Sequence, residues 1–173
     1  DTNGSVDVFV HDRQNGTTER VSLGMAGAQG NSASGLPSIS VDGHLVSFES
    51  LANNLVATDT NGAADIFVRD RHSGTTVRVS IVTGGAQANG FSRNAVISAG
   101  GQCVAFESVS TNLVAGDTNG SVDVFVHDLV LGTTERVSLS AGGAQASLAS
   151  IQPRISADGR CVVFLSGASN LVA

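Results

Sequence analysis

The sequence predicts an all-β fold made of repeated four-stranded antiparallel sheets, and three observations carry that prediction. The tetrapeptide Asp-Thr-Asn-Gly occurs at residues 1–4, 59–62 and 117–120, which gives a period of 58 residues. Within each period, apolar and polar side chains alternate at every second position, as in strands with one buried face. Glycine-containing turns separate these segments, and no long segment has the spacing of an amphipathic helix. Four strands repeated at a fixed period are typical of the blades of a β-propeller.

The repeat covers the whole chain. Its copies are residues 1–58, 59–116 and 117–173, and we expect residues 1–173 to form a single propeller-forming unit. Six of the seven phenylalanines fall at two repeat positions, so the copies share their large core residues. The positions with the same residue in every copy include Asp7, Asp65 and Asp123; Phe9, Phe67 and Phe125; Arg20, Arg78 and Arg136; and Phe48, Phe106 and Phe164.

The strands can be placed most directly in the second copy. Residues 65–70 and 75–81 alternate around a turn at 71–74 that contains glycine, and residues 94–99 and 103–108 flank the pair Gly100-Gly101. Each pair predicts an antiparallel hairpin. The two hairpins together predict one four-stranded blade per period.

Composition excludes several classes of protein. Aromatic residues make up 4% of the 173 residues against 41% hydrophobic, so the core is expected to be aliphatic and closely packed. The net charge is −6 and every basic residue is an arginine, which argues against nucleic-acid binding and removes the lysine that a P-loop or a Schiff base requires. No apolar run approaches the roughly 20 residues of a membrane span. We therefore expect no nucleic-acid partner and no membrane span.

The first copy also resembles a known family. Residues 37–43 read Pro-Ser-Ile-Ser-Val-Asp-Gly and residues 46–50 read Val-Ser-Phe-Glu-Ser, a pattern similar to the TolB-type, WD-repeat-like propeller motif of bacterial proteins. The third copy keeps the pattern from Pro153 to Phe164, whereas the second has Ala95 in place of proline. The resemblance implies an exported protein, periplasmic or extracellular, that binds a protein, peptide or glycan at the axial face. The loops expected to line that pocket are 84–87 and 142–145.

The same resemblance gives the order of strands in a blade and hence the number of blades. Residues 1–23 supply the last two strands of one blade, two full blades follow, and residues 150–173 supply the first two strands of another. Three blades do not close a ring, because propellers have about 4 to 8. Ala173 also stands one residue before the next Asp-Thr-Asn-Gly would begin. We predict a head-to-tail homodimer with six blades; the alternatives are a fragment of a longer propeller protein and a ring of another size.

The repeated loops contain candidate metal ligands. Oxygen-bearing side chains at loop spacings 1, 3 and 7 resemble the opening of a calcium loop, which predicts calcium as the one candidate cofactor. A bidentate acid at the far end is missing, because the next aspartate is separated by a strand. The alternative interpretation is an Asn-Gly turn closed by an Asx hydrogen bond. The candidate ligands are Asp1, Asn3 and Asp7; Asp59, Asn61 and Asp65; and Asp117, Asn119 and Asp123.

Other repeated polar residues favour structural roles. Asp12, Asp70 and Asp128 precede turns and are expected to cap them. The arginines at positions 20, 78 and 136 are expected to form surface or interblade pairs with Glu19, Glu135 or those turn aspartates, and the histidines to lie in solvent or in turns. The two cysteines share one repeat position and are expected to be free thiols, because equivalent positions lie in different blades.

Nothing in the sequence supports catalysis. There is no Gly-x-Ser-x-Gly elbow and no suggested Cys-His pair, so we expect a non-catalytic binding or scaffolding module. Two other interpretations stay open: a purely structural array of blades, and the accessory propeller of a hydrolase whose catalytic domain is separate. Glu49 and Glu107 recur but Leu165 replaces them in the third copy, which leaves them as candidate pocket residues.

Overall fold

The computed structural model describes residues 2–172, which form antiparallel strands joined by turns and one 3-10 turn at Met25–Gly27. Each predicted hairpin is present. The strands are β1 (Phe9–Asp12), β2 (Thr17–Arg20), β3 (Ser34–Ile39), β4 (Leu45–Ser50), β5 (Asp65–Asp70), β6 (Thr75–Arg78), β7 (Ser92–Ile97), β8 (Cys103–Ser108), β9 (Asp123–Asp128), β10 (Thr133–Arg136), β11 (Ser150–Ile155) and β12 (Val162–Ser166).

The sheets divide into two complete blades and two half blades. Strands β3-β4-β5-β6 form one four-stranded sheet in chain order, and β7-β8-β9-β10 form the next. The pairs β1-β2 and β11-β12 are two-stranded sheets at either end. Since β7 packs on β3 and β11 packs on β7, the first strand of each blade lies on the inner side of the array and the fourth on the outer side. The predicted order of strands within a blade is confirmed.

Both complete blades use one register in their central strand pair. Phe48 on β4 lies opposite Phe67 on β5, and Phe106 on β8 lies opposite Phe125 on β9. The ring centroids of each pair are 5.9 Å apart and all four rings are fully buried. The cross-strand phenylalanine pair therefore supplies the largest core side chains of each blade, since the rest of the core is aliphatic.

The core lies between neighbouring blades. Ile66 and Val79 of the first complete blade belong to the same apolar cluster as Ala95, Val104 and Phe125 of the second. A second cluster joins Val8 and Val21 of the initial half blade to residues of the first complete blade, including Val46 and Phe67. Stacked sheets with small side chains bury both faces in this way, because neither sheet has enough apolar surface to form a core alone.

Three strand boundaries differ from the predicted ones. Strand β6 ends at Arg78 instead of residue 81, because Ser80 turns its side chain toward β5 and Ile81 makes only an isolated bridge to Gln87. Strand β7 begins at Ser92 instead of residue 94, because the pairing with β8 continues across a bulge at Asn94. It ends at Ile97 instead of residue 99, where the Ser98 N–H donates to the Cys103 carbonyl at the start of the turn. None of these effects has a signature in the alternation of apolar residues.

The structure can be compared with the predictions on membrane spans and on the cysteines. Within residues 2–172 no helix has the length and apolar character that a membrane crossing requires. Both cysteines are free thiols as predicted, with Cys103 partly covered in a complete blade and Cys161 exposed in the final half blade.

Candidate functional site

Each inner strand is interrupted by the same irregularity. The register shifts between residues 35 and 38 in β3, between 93 and 96 in β7, and between 151 and 154 in β11. At these points Leu36, Asn94 and Gln152 have φ angles of 47°, 55° and 54°. Left-handed backbone is rare for residues other than glycine, and bulges of this kind cluster at functional sites. The bulges therefore mark the inner wall as the candidate site.

A cleft of about 290 Å³ lies between the bulges, and we call it the axial cleft. Its wall combines apolar side chains with polar groups. The Ser38 hydroxyl accepts a hydrogen bond from the Ile97 N–H at 3.2 Å, and Nη1 of the exposed Arg154 donates to the Pro153 carbonyl at 2.8 Å. The lining residues are Leu36, Pro37, Ser38, Asn94, Ala95, Val96 and Arg154.

The loops that the sequence placed at this pocket do not line the cleft, so that prediction is wrong. Residues 84–87 follow an outer strand and fold back on themselves, with the Val82 N–H donating to the Ala86 carbonyl at 2.8 Å. Gln87 Oε1 accepts a hydrogen bond from the N–H of Thr60, in the loop between β4 and β5. Loops 84–87 and 142–145, which join the fourth strand of one blade to the first strand of the next, therefore lie outside the cleft lining, and the inner strands form the cleft.

The predicted metal loops surround a buried carboxylate in each complete blade. Asp65, with no exposed surface, accepts hydrogen bonds from Ser80 Oγ at 2.5 Å and Asn61 Nδ2 at 3.0 Å. Arg78 Nη1 lies 3.4 Å from Asp65 and 3.5 Å from Asp59. Burial raises the pKa of both carboxyls, and the nearby Arg78 opposes that rise. We call Asp59, Asn61, Asp65, Arg78 and Ser80 the aspartate-arginine cluster.

The third copy repeats this cluster almost atom for atom. Ser138 Oγ donates to Asp123 at 2.5 Å, and Arg136 Nη1 lies 3.2 Å from Asp117 and 3.4 Å from Asp123. Burial likewise raises the pKa of Asp117.

The first copy is more open. Ser22 Oγ donates to Asp7 at 2.6 Å, Asn3 Nδ2 donates at 3.3 Å, and Arg20 Nε lies 3.6 Å from the same carboxylate. Asp1, the remaining candidate ligand, lies outside the described residues.

The geometry bears on the two interpretations of these loops. The Oδ1 atoms of Asn3, Asn61 and Asn119 accept the N–H of the residue two positions later at 2.8, 2.9 and 3.0 Å, which is the Asx turn. Among residues 2–172 no group of three or more His, Cys, Asp or Glu side chains is arranged to hold a metal ion. Calcium binding stays a prediction. A cation at Asp59 and Asp65 would compete with the guanidinium group of Arg78.

The predicted pairing of the repeated arginines is wrong. Arg78 is 8% exposed and contacts Asp59 and Asp65, not a surface glutamate or a turn aspartate. Glu19 instead pairs across two blades with Arg71, whose Nε lies 2.5 Å from the carboxylate. The acid that pairs with Arg78 could not be predicted from the strand that carries this arginine. Asp59 lies in the loop before β5 and approaches Arg78 only when the blade is folded.

The turn aspartates have the predicted role. Asp70 Oδ1 accepts the N–H groups of His72 and Ser73 at 2.8 and 3.1 Å, and Asp12 and Asp128 accept the equivalent pairs. The pKa of Asp70 is lowered, first by a hydrogen bond from the Ser73 side chain and then by those from the two backbone N–H groups.

One histidine departs from the expectation of exposure. His127 is 4% exposed on β9, and its Nδ1 lies 2.9 Å from Thr134 Oγ1. Burial lowers its pKa below 6.5, because the charged imidazolium loses hydration there. Its repeat equivalent His11 is exposed, since β1 has no neighbour on that edge.

Two glutamates connect each blade to the next bulge. Glu107 is 2% exposed, accepts the Gln152 N–H at 2.7 Å and pairs with Arg93 Nε at 2.9 Å. Glu49 accepts the Asn94 N–H at 3.4 Å. The sequence marked these acids as recurrent but gave no partner, because the partner is a backbone group of another blade 45 residues away. They hold the walls of the axial cleft in position.

Repeated four-stranded sheets, stacked with their first strands inward around a bulged cleft, define a blade-forming chain of the β-propeller class. The chain is similar to TolB from Acinetobacter baumannii, with a TM-score of 0.56 and 21% identity. It is also similar to a putative TolB from Agrobacterium tumefaciens (0.52, 17%) and to the tricorn protease (0.55, 14%). These similarities establish a TolB-like propeller fold, as the sequence motif predicted.

The coverage of these structures is unequal. The matches include 94%, 92% and 91% of this chain but only 32%, 50% and 13% of the respective proteins, so the chain spans half or less of their lengths. No protein-family model matches the chain, and no curated protein is similar to it in sequence.

Proposed function

We propose that this chain is a non-catalytic propeller module that binds a protein segment in the axial cleft, within a six-bladed ring made by two copies. The observation that carries the proposal is the axial cleft itself, which is lined by the bulged parts of β3 and β7 and by Arg154 of β11. Its lining combines apolar side chains with the polar groups of Ser38, Asn94 and Arg154, and binding sites use such polar groups to orient a ligand. An exported setting, periplasmic or extracellular, belongs to the same proposal and is supported by the TolB-like fold.

The chemistry of the cleft favours a peptide that carries a carboxylate. Arg154 presents several exposed N–H donors beside Ser38 and Asn94, and a guanidinium group pairs with carboxylates in a fixed geometry. The net charge of −6 repels acidic peptides from most of the surface, so the arginine supplies local selectivity. Leu36, Pro37 and the neighbouring aliphatic side chains suit an apolar residue next to the acid.

A binding screen on peptide and glycan arrays tests this function. We expect a saturable hit among acidic peptides that weakens on the order of 10-fold in Arg154→Ala, because a charge-assisted hydrogen bond is lost. Arg160→Ala is the matched control, since Arg160 is an exposed arginine outside the cleft. Hits confined to glycans, or equal weakening of peptide binding in both variants, would contradict the proposal of a peptide ligand. Hydrolysis by the pure chain would contradict the proposal that the module is non-catalytic.

A further inference from the structure

The two open strand edges of the chain reproduce a strand pair that already exists inside it. Strand β8 reads Cys-Val-Ala-Phe-Glu-Ser and pairs with β9, which reads Asp-Val-Phe-Val-His-Asp. Residues 7–12, which contain β1, have the same six residues as β9. Residues 161–166, which contain β12, read Cys-Val-Val-Phe-Leu-Ser and differ from β8 at two positions. Both halves of the pair are thus present at opposite ends of one chain.

The apolar residues of these edges are exposed where their repeat equivalents are buried. Phe9 is 48% exposed, whereas Phe67 and Phe125 have no exposed surface. Val163 and Leu165 on β12 are 66% and 58% exposed. The equivalent residues of β8 are buried because β9 and the next blade cover them. Both edges therefore lack the neighbours that the complete blades have.

A groove of about 260 Å³ lies beside the open edge of β1, between residues 9–11 of β1 and residues 37–39 of β3, with Val46 beneath. In the complete blades this place is taken by the second strand, since β4 packs on β7 and β8 packs on β11 of the following blade. The groove thus has the position of a missing second strand. Phe9 and Ile39 on its walls are each 48% exposed.

We propose that the occupant is the β11-β12 half blade of a second copy, with the second copy's β12 antiparallel to β1 and the second copy's Phe164 opposite Phe9. Two such joints close a ring of two copies, and we call each one the closure joint. The inference rests on the ring in the proposed function and specifies the residues of its joints. It also completes the axial cleft, because a second set of inner strands continues the wall beyond Arg154.

The first support is a contact position where the copies differ. In the complete blades an acid meets a backbone N–H of the next bulge, Glu49 with Asn94 and Glu107 with Gln152. The third member of this series is Leu165, and across the closure joint it faces the second copy's Leu36, which is 52% exposed. The change from acid to leucine on β12 is thus matched by an apolar residue at the bulge it would meet.

The second support is an ion pair between outer strands. Glu19 on β2 pairs with Arg71 in the turn after β5. The equivalent positions one blade further are Val77 and Leu129, both apolar. One blade further again they are Glu135 and, across the closure joint, the second copy's Arg13. The three pairs of this series are thus charged, apolar and charged, and in each charged pair the two residues have opposite charges. The pair at the closure joint is therefore complementary as well.

A third series gives a chemical readout. Leu45 lies against Gly101, where an added Cβ would be 2.8 Å from its side chain, and Cys103 lies against Gly159, where the distance would be 3.0 Å. The next pair is Cys161 with the second copy's Gly43. Cys161 is exposed in a single chain, so closure would cover its thiol.

The native mass of the 173-residue chain, measured from 1 to 100 µM, tests the proposal. We expect about 34.8 kDa, twice the 17.4 kDa of one chain, and slower labelling of Cys161 by a thiol reagent as the concentration rises. Phe9→Asp should weaken association on the order of 100-fold or more, since each ring contains two such joints. Val130→Asp is the matched control, because Val130 is 74% exposed on an outer turn away from both edges.

Charge exchange provides a second variant that does not alter the core. Arg13→Glu and Glu135→Arg alone should each weaken association by a few-fold, and the double variant should restore it. A chain of 17.4 kDa at 100 µM, a ring insensitive to Phe9→Asp, or no restoration by the double variant would overturn the closure joint. If a chain that stays single at 100 µM binds the peptide, the closure joint is wrong and the proposed cleft stands. If the two-copy ring forms and binds no peptide, the closure joint stands and the proposed cleft is wrong.

Discussion

The buried carboxylate at the start of β5 and of β9 is held by several hydrogen bonds and an arginine in each complete blade. Asp65 joins three separate segments: Asn61 in the preceding loop, Arg78 at the end of β6 and Ser80 beyond it. A carboxylate without solvent is tolerated only when its oxygens are hydrogen-bonded and its charge is paired. The aspartate-arginine cluster meets both conditions, which explains why its residues recur in each copy.

Removing that carboxylate should be costly. Asp65→Ala leaves Arg78 buried with Asp59 as its only acid and leaves Ser80 without an acceptor, so we expect a loss of about 3 to 5 kcal/mol in the free energy of unfolding. Urea unfolding followed by circular dichroism measures the change. Asp70→Ala removes only turn hydrogen bonds at a more exposed site and should cost about 1 kcal/mol. Equal losses in the two variants would contradict the cluster's role.

His127 should make the stability depend on pH. Its pKa is lowered in the folded state, so the unfolded chain takes up a proton more readily as the pH falls below 6.5. The free energy of unfolding is therefore unaffected by His127 above that pH and declines as the pH falls toward 5. We expect the slope of unfolding free energy against pH to flatten in His127→Gln.

An exposed residue that does not titrate supplies the control for that measurement. Val130→Gln changes a turn residue that is 74% exposed, adds no titratable group and should keep the wild-type slope between pH 7 and 5. The turn aspartates, whose pKa values are lowered, lose their contribution only at lower pH and do not interfere. A slope unchanged in His127→Gln would mean that another group carries the dependence.

At the level of the strand, the alternation of apolar residues predicted every hairpin, but not the irregular points that form the cleft. Residues 65–70 and 103–108 are strands with the predicted limits, because both have strand neighbours on each side. The bulge at Asn94 could not be predicted, since its backbone N–H is held by Glu49 of the previous blade. A pattern within one strand carries no information on a contact between two blades.

The contact between Glu107 and the following bulge should be a principal interblade interaction. Glu107→Leu leaves the Gln152 N–H without its acceptor and Arg93 without its acid, so we expect a loss of about 2 to 4 kcal/mol in unfolding free energy. Glu49→Leu at the equivalent position breaks a longer hydrogen bond of 3.4 Å and should cost about 1 kcal/mol or less. A larger loss in Glu49→Leu than in Glu107→Leu would contradict this ranking.

For the molecule as a whole, the repeat length and the strand order were enough to predict two complete blades flanked by two half blades. The location of the pocket was not predictable in the same way. The loops with the most glycine look adaptable in sequence, yet the cleft forms where the inner strands of three blades converge. This convergence arises only when the blades are packed together. The sequence around Leu36 or Arg154 therefore contains no pattern that predicts the cleft.

Ring closure should couple stability to concentration. Because only folded chains associate, mass action raises the melting temperature with chain concentration. We expect an increase of about 3 to 5 °C between 1 and 100 µM, and no increase in Phe9→Asp. Differential scanning calorimetry at several concentrations measures it. A melting temperature independent of concentration in the wild-type chain would argue against a two-copy ring.

Residues 1–12 and 117–128 are identical, and this identity has a kinetic consequence. During folding, the edge of β8 meets two segments with the same side chains, one from its own blade and one from the first hairpin of any chain. Binding the wrong one displaces β9-β10 and leaves a competing partner exposed, which is the start of domain swapping. Refolding from urea should therefore lose yield as concentration rises, through exchange of one hairpin for its duplicate.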